Sequence, residues 1–154
     1  MTFRITGLDP APFLDLAGLS DAALAERGVV RRVSDGSGFP CRVSLEDAPA
    51  GATMLLMNYE HQPADTPFRS RHAIFVREGE QRRCEIVGEV PDLLRRRLLS
   101  IRAFDAAHMM IDADVVDGAA AAEAIERFLD APETAYLHIH SARPGCFLAS
   151  AERA

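Results

Sequence analysis

Residues 58–78 read Asn-Tyr-Glu-His-Gln-Pro-Ala-Asp-Thr-Pro-Phe-Arg-Ser-Arg-His-Ala-Ile-Phe-Val-Arg-Glu. On either side of the polar centre lie two apolar runs, Met54-Leu55-Leu56-Met57 and Ala73-Ile74-Phe75-Val76, which have the length and composition of buried strands. Two such strands joined by one connection predict an antiparallel hairpin over about 53–60 and 72–78. By these limits the connection spans about ten residues, where two to five are usual. It carries Pro63, Pro67 and Arg69, with His61 and His72 at its two ends. Long ordered loops of this kind tend to carry function.

Outward from this block, strands are expected over 2–8, 28–33, 39–45, 98–104, 109–116, 134–140 and 146–151. Helices are expected over 21–27, capped by Ser20 and stopped by Gly28, over 92–97 after Pro91, and over 118–129, capped by Asp117. More strand than helix, with short connections, predicts an α+β fold: one domain, a largely antiparallel sheet and two to three helices. A strand–helix–strand unit over 109–140 could supply one right-handed crossover.

Composition narrows the functional classes. The chain has 154 residues and a formal net charge of −6. An acidic balance without a basic cluster argues against nucleic acid and anionic membrane surfaces as partners. All 17 basic residues are arginine, so every fixed cation is a planar fork suited to carboxylate or phosphate, and no Schiff-base lysine exists. Cys41, Cys84 and Cys146 are odd in number and lack Cys-x-x-Cys spacing, as expected of free thiols in a reducing compartment. With no apolar run long enough for a leader or a membrane span, a cytoplasmic protein is expected.

Two places could carry chemistry. In 134–140 alternation puts Tyr136, His138 and His140 on one face. In 109–116 it puts Asp112 and Asp114 on one face. With the helix between these strands packed on their apolar sides, the five side chains would share a polar face. His138, His140, Asp112 and Asp114 could then ligate a divalent metal such as zinc or iron. Hydrogen-bonded or solvated sheet histidines are the competing reading. Asp112-x-Asp114-x-x-Asp117-Gly118 misses the spacing of a calcium loop by one residue.

The second place is the rim of the 61–72 hairpin. Arg69 and Arg42 could hold an anionic ligand, with Tyr136 and Cys41 nearby. His61 and His72 are candidates for proton transfer there. The expected function is binding of, or action on, a small anionic molecule in an Arg/His-lined pocket. The rival is a noncatalytic interaction module or homodimer in which the same groups form internal networks. There is no nucleophile elbow, Walker loop or dinucleotide-binding glycine pattern.

The segments Gly-Phe-Pro-Cys-Arg-Val-Ser-Leu-Glu-Asp-Ala at 38–48, the whole of 58–78, Arg-Ala-Phe-Asp at 102–105, Tyr-Leu-His-Ile-His at 136–140 and Arg-Pro-Gly-Cys at 143–146 resemble a bacterial family catalogued as domain of unknown function 1203. The resemblance runs nearly end to end. It implies one coherent domain and brings no activity, cofactor or substrate. The family often has Tyr at the position of Phe68 and a small residue at that of Arg71, which implies that neither a hydroxyl at 68 nor Arg71 is required.

Overall fold

The computed structural model describes residues 2–154. Among the described residues, nine strands and four short helices form an α+β fold with two antiparallel sheets. The larger sheet has the order β5-β1-β9-β8-β6-β7: Glu85–Val87, Phe3–Thr6, Phe147–Arg153, Tyr136–Ser141, Leu98–Phe104 and Met110–Asp117. The smaller has the order β2-β3-β4: Val30–Val33, Thr53–Gln62 and Ser70–Arg77. The hairpin of residues 53–77 thus supplies two of the three strands of the smaller sheet, β3 at its centre and β4 at one edge. Its loop shortens to 63–69 because both strands extend into the polar block.

Each sheet has its own core. Helix α4 (Ala121–Asp130) lays Ile125, Phe128 and Leu129 over Leu99, Ile101, Leu137 and Ile139 of the larger sheet. Asp117 caps the 3-10 turn Gly118–Ala120 that leads into α4, its Oδ1 accepting from Ala119 N at 2.9 Å. Helix α3 (Asp92–Arg95) adds Leu93 and Leu94 to the same layer. The smaller sheet packs Met54, Leu55, Ile74 and Val76 against Leu24 of α2 (Asp21–Glu26) and Phe13 of α1 (Ala11–Leu14). Ser20 caps α2 through Ala23 N at 3.1 Å. Single-turn α1 brings the helices to four, one more than expected.

Two expectations need correcting. The strand–helix–strand unit exists as β7–α4–β8, but β6 lies between the two strands and pairs antiparallel with both, so no bonded parallel pair forms. Residues 39–45 do not form a strand. They make a bridge from Pro40 to Asp47, a bridge from Cys41 to Phe75, and a tight turn in which Leu45 N donates to Cys41 O at 3.0 Å.

That turn ties the two sheets together. Leu8 N, just after β1, donates to Arg42 O at 2.8 Å, and Arg42 N donates to Phe75 O of β4 at 3.1 Å. Gly7 sits where the turn touches β1: a Cβ there would meet Val43 O at 2.2 Å. Gly7→Ala is therefore expected to force backbone apart and destabilise the fold by about 1–3 kcal/mol. Urea denaturation checks this, and an unchanged midpoint would show that the contact yields without cost.

Candidate functional site

The face of the larger sheet opposite α4 carries the chemistry. Register on β6 and β8 sets Ser100 beside His140, Arg102 beside His138 and Phe104 beside Tyr136. The intervening Leu99, Ile101, Ala103, Leu137 and Ile139 go to the helix side. On β9, Ser150 lies opposite His138. One extra residue, Leu148, is then taken up between Ala149 and Phe147, so that Phe147 stands opposite His140. A bulge of this kind breaks the alternation and re-aims a side chain. Phe147 contacts His138 and His140 edge-on, with ring centroids 5.2 and 5.7 Å apart.

A second bulge brings in the other sheet. Tyr59 pairs with His72 but Gln62 pairs with Ser70, so Glu60 and His61 together oppose Arg71. His61 stacks on Phe147 at 5.5 Å and meets His140 edge-on at 4.8 Å. Gln62 Nε2 donates to Tyr136 Oη at 2.9 Å. His61, His138 and His140 each offer a ring nitrogen, and these atoms all lie within 4.8 Å of one another.

The tautomer of His140 follows from its partner. Its Nδ1 is 2.9 Å from Gly145 O, which can only accept, so Nδ1 carries the proton and Nε2 keeps its lone pair. The Nδ1 atoms of His61 and His138 are buried without a partner. Burial is the main reason all three rings resist protonation. It holds His61 and His138 at about 4 and His140 at about 3, and the Arg102 charge adds to the effect. Neutral imidazoles are therefore the resting state at pH 7.

Arg102 lies at the edge of this cluster. Its Nε is 3.3 Å from Ser100 Oγ, and desolvation, with no carboxylate acting on it, lowers its pKa. Beside His138 opens a groove of about 490 Å³, lined also by Tyr136, Ser150, Thr6 and Arg83.

The residues expected to form one site are distributed over several places. His61, His138 and His140 meet, and Tyr136 adjoins them, its hydroxyl 2.8 Å from His108 Nδ1. Asp112 and Asp114 are on the opposite face: they pair in register with Ala103 and Ile101, and Asp114 binds Arg127 of α4 at 2.8 Å. The alternation of β7 misled here because β7 is an edge strand. It leaves apolar Ile111 and Val115 exposed on the histidine side, while its acids reach solvent beside the helix. Arg69 is exposed and paired with Glu60, away from any shared hollow. Arg42 is 2 % exposed and bonded internally, and Cys41 Sγ accepts from Arg77 N. His72 and Arg42 line a separate pocket with Cys146. The expected four-residue anion pocket of Arg42, Arg69, His61 and His72 is thus not formed. Arg102 and Phe147 were missed, although the alternation Ser100, Arg102, Phe104 in the sequence signals the first.

A family model covers this whole assembly. The chain belongs to a family of proteins of unknown function, DUF1203, whose model matches residues 38–153. No curated protein and no solved structure matches it. Every residue of the histidine cluster, Arg102, Arg42 and Cys146 fall inside the matched span, while β1, both first helices and β2 fall outside it.

The three imidazoles also make a prediction for stability. Unfolded, each titrates near 6.5. Folded, each stays neutral down to about 4 or below. Below pH 6.5 the unfolded chain takes up protons that the native state refuses, so their stabilisation is complete above that pH and drains away as pH falls toward 4. The slope is at most about 1.4 kcal/mol per pH unit per ring, and less for partly exposed His61. In the metal-free protein, denaturation between pH 6.5 and 5 is expected to show this slope, and His138→Gln with His140→Gln to flatten it. Equal slopes in the two proteins would contradict the assignment.

Proposed function

We propose that the chain binds a divalent transition metal through His61, His138 and His140, and holds a small anionic ligand between that metal and Arg102. The carrying observation is the convergence of three neutral imidazoles whose ligand atoms lie within 4.8 Å of one another. The Nδ1 atoms of two of the rings are buried and unpartnered, an expensive state that ligation relieves. The third is oriented by a backbone carbonyl, the arrangement that commonly fixes a ligating histidine. Vertices of a tetrahedral site with bonds of about 2.0–2.1 Å are about 3.4 Å apart, so the rings close by about 1.4 Å at most.

The donor set selects the metal. Three imidazoles without a carboxylate or thiolate suit zinc, copper, nickel or iron(II) and disfavour magnesium or calcium, which want oxygen. Three protein ligands leave a fourth position open, as catalytic zinc sites do. In that position a bound water is acidified and a bound oxyanion polarised.

Electrostatics supports the anionic ligand. A dication held by neutral rings would face Arg102, which no carboxylate compensates. Two uncompensated positive charges at short range repel strongly in a partly desolvated site. A hydroxide, carboxylate or phosphate bridging metal and guanidinium relieves that repulsion. A groove opens beside His138, with Arg83, Glu85 and Glu152 among the charged groups on its walls.

Thermal denaturation with and without Zn²⁺ tests this reading. At about a hundredfold excess over the dissociation constant, the metal is expected to stabilise the protein by about 2.7 kcal/mol. Replacing His61, His138 and His140 by Gln should abolish the shift, whereas Arg102→Gln should keep metal binding and weaken that of phosphate or acetate to the loaded protein. If the triple variant responds to Zn²⁺ as wild type does, the metal lies elsewhere and the reading fails.

A further inference from the structure

Asp112 and Asp114 do not reach the histidines, and their place on β7 gives them another use. β7 is an edge strand of eight residues. Among the described residues the other sheet edges are shorter or covered. β5 has three residues and β2 four. β4 is bridged at Phe75 by Cys41, and Phe75 O accepts from Arg42 N. A long open edge is a template for another strand. Composition favours pairing at β7, where β-branched Ile111 and Val115 are 40 % and 57 % exposed.

The register shows which backbone groups of β7 face outward. On β6, Leu98 O accepts from Ala142 N and Phe104 O from Ala135 N, at the two ends of β8. Just before β6, Arg97 O accepts from Gly118 N, at the end of β7. The even residues of β6 therefore aim their peptide groups at β8 and the odd ones at β7. Leu99, Ile101 and Ala103 pair with Val116, Asp114 and Asp112, whose peptide groups thus point inward. Those of Ala113 and Val115 point outward, where a further strand would bind. Both of these N–H groups are already taken. Ala113 N donates to Asp112 Oδ1 and Val115 N to Asp114 Oδ1, each at 2.8 Å. Asp114 is itself held in place, its Oδ2 accepting from Arg127 Nη2 of α4 at 2.8 Å.

We propose that Asp112 and Asp114 close this edge: by occupying the N–H groups of Ala113 and Val115, they keep β7 from pairing with the β7 of a second copy. A ladder needs donors as well as acceptors, and two strands capped in this way would meet at these positions with carbonyls alone. Charge adds to the barrier. Antiparallel pairing centred on Ala113 would set Asp112 of one copy against Asp114 of the other, and opposed like charges destabilise a sheet. The same register would set Val115 against Ile111, so the pairing that the acids prevent is otherwise favourable. With one long open edge per copy, such pairing would stop at two copies.

Size-exclusion chromatography with light scattering on the full chain tests this. Asp112→Thr with Asp114→Thr keeps strand propensity and frees both N–H groups. That variant is expected to double the wild-type mass and to gain amide protection over residues 110–117. Asp112→Asn with Asp114→Asn removes the charges but leaves an amide oxygen for each N–H, and is expected to keep the wild-type mass. A threonine variant of wild-type mass, or one that doubles without new protection in β7, would overturn the proposal. An asparagine variant that doubles as well would overturn it too, by showing that charge alone holds the copies apart. Amide hydrogen exchange on the wild-type protein needs no variant. Ala113 and Val115 are expected to exchange at least about tenfold more slowly than in an unstructured chain. Unprotected amides at both positions would show that the carboxylates do not hold them, and the proposal would fall.

Discussion

The guanidinium of Arg42 is the interaction on which the arrangement turns. It is among the largest fully buried side chains, and it spans from the 40–45 turn to the strand that carries Phe147. Hydrogen bonds from a charged donor are worth about 1.5–3 kcal/mol each. By gripping Phe147 O it fixes the start of β9, and with it the bulge that turns the Phe147 ring toward the imidazoles. Cys146, just before Phe147, accepts from the guanidinium through Sγ, and Gly145, one residue earlier, orients His140. One buried cation therefore holds the turn against which the histidine cluster is built.

The histidine cluster depends on two departures from regular strand pairing. Without the bulge at Glu60 and His61, strict alternation would apply along β3, and without the bulge at Leu148 a leucine would stand opposite His140. Bulges cost ladder hydrogen bonds and persist where the displaced side chain has a use. Here they assemble aromatic and imidazole rings from two sheets into one packed group. Packing drives out water, and the loss of water keeps the rings uncharged. Uncharged rings with free lone pairs are what a transition metal requires, so the packing that costs acid stability is the same packing that prepares the ligands.

Much of the fold was legible in the sequence because its signals are local. Ser20 and Asp117 cap their helices, Gly28 with φ 71 ends α2, and alternation in 134–140 places His138 and His140 on one side. What could not be read locally is who stands beside whom. The insertion of β6 between β7 and β8 depends on long-range pairing, and it substitutes Arg102 for the two acids as the neighbour of His138. The acids of β7 were misassigned because an edge strand with a partly covered helix side tolerates charge there and leaves valine and isoleucine in solvent. His61 was singled out for its loop, yet its meeting with the β8 histidines arises from a bulge that no alternation pattern announces. The 39–45 segment has strand-like composition, yet Leu45 takes a φ of 54° and its N–H closes a turn on Cys41 O.

X-ray absorption at the zinc edge of the metal-loaded protein tests the central claim most directly, because it counts donor atoms by type. The account predicts three imidazole nitrogens at about 2.0–2.1 Å with one further oxygen. A sulfur scatterer near about 2.3 Å, or a shell of oxygens without imidazole, would contradict it.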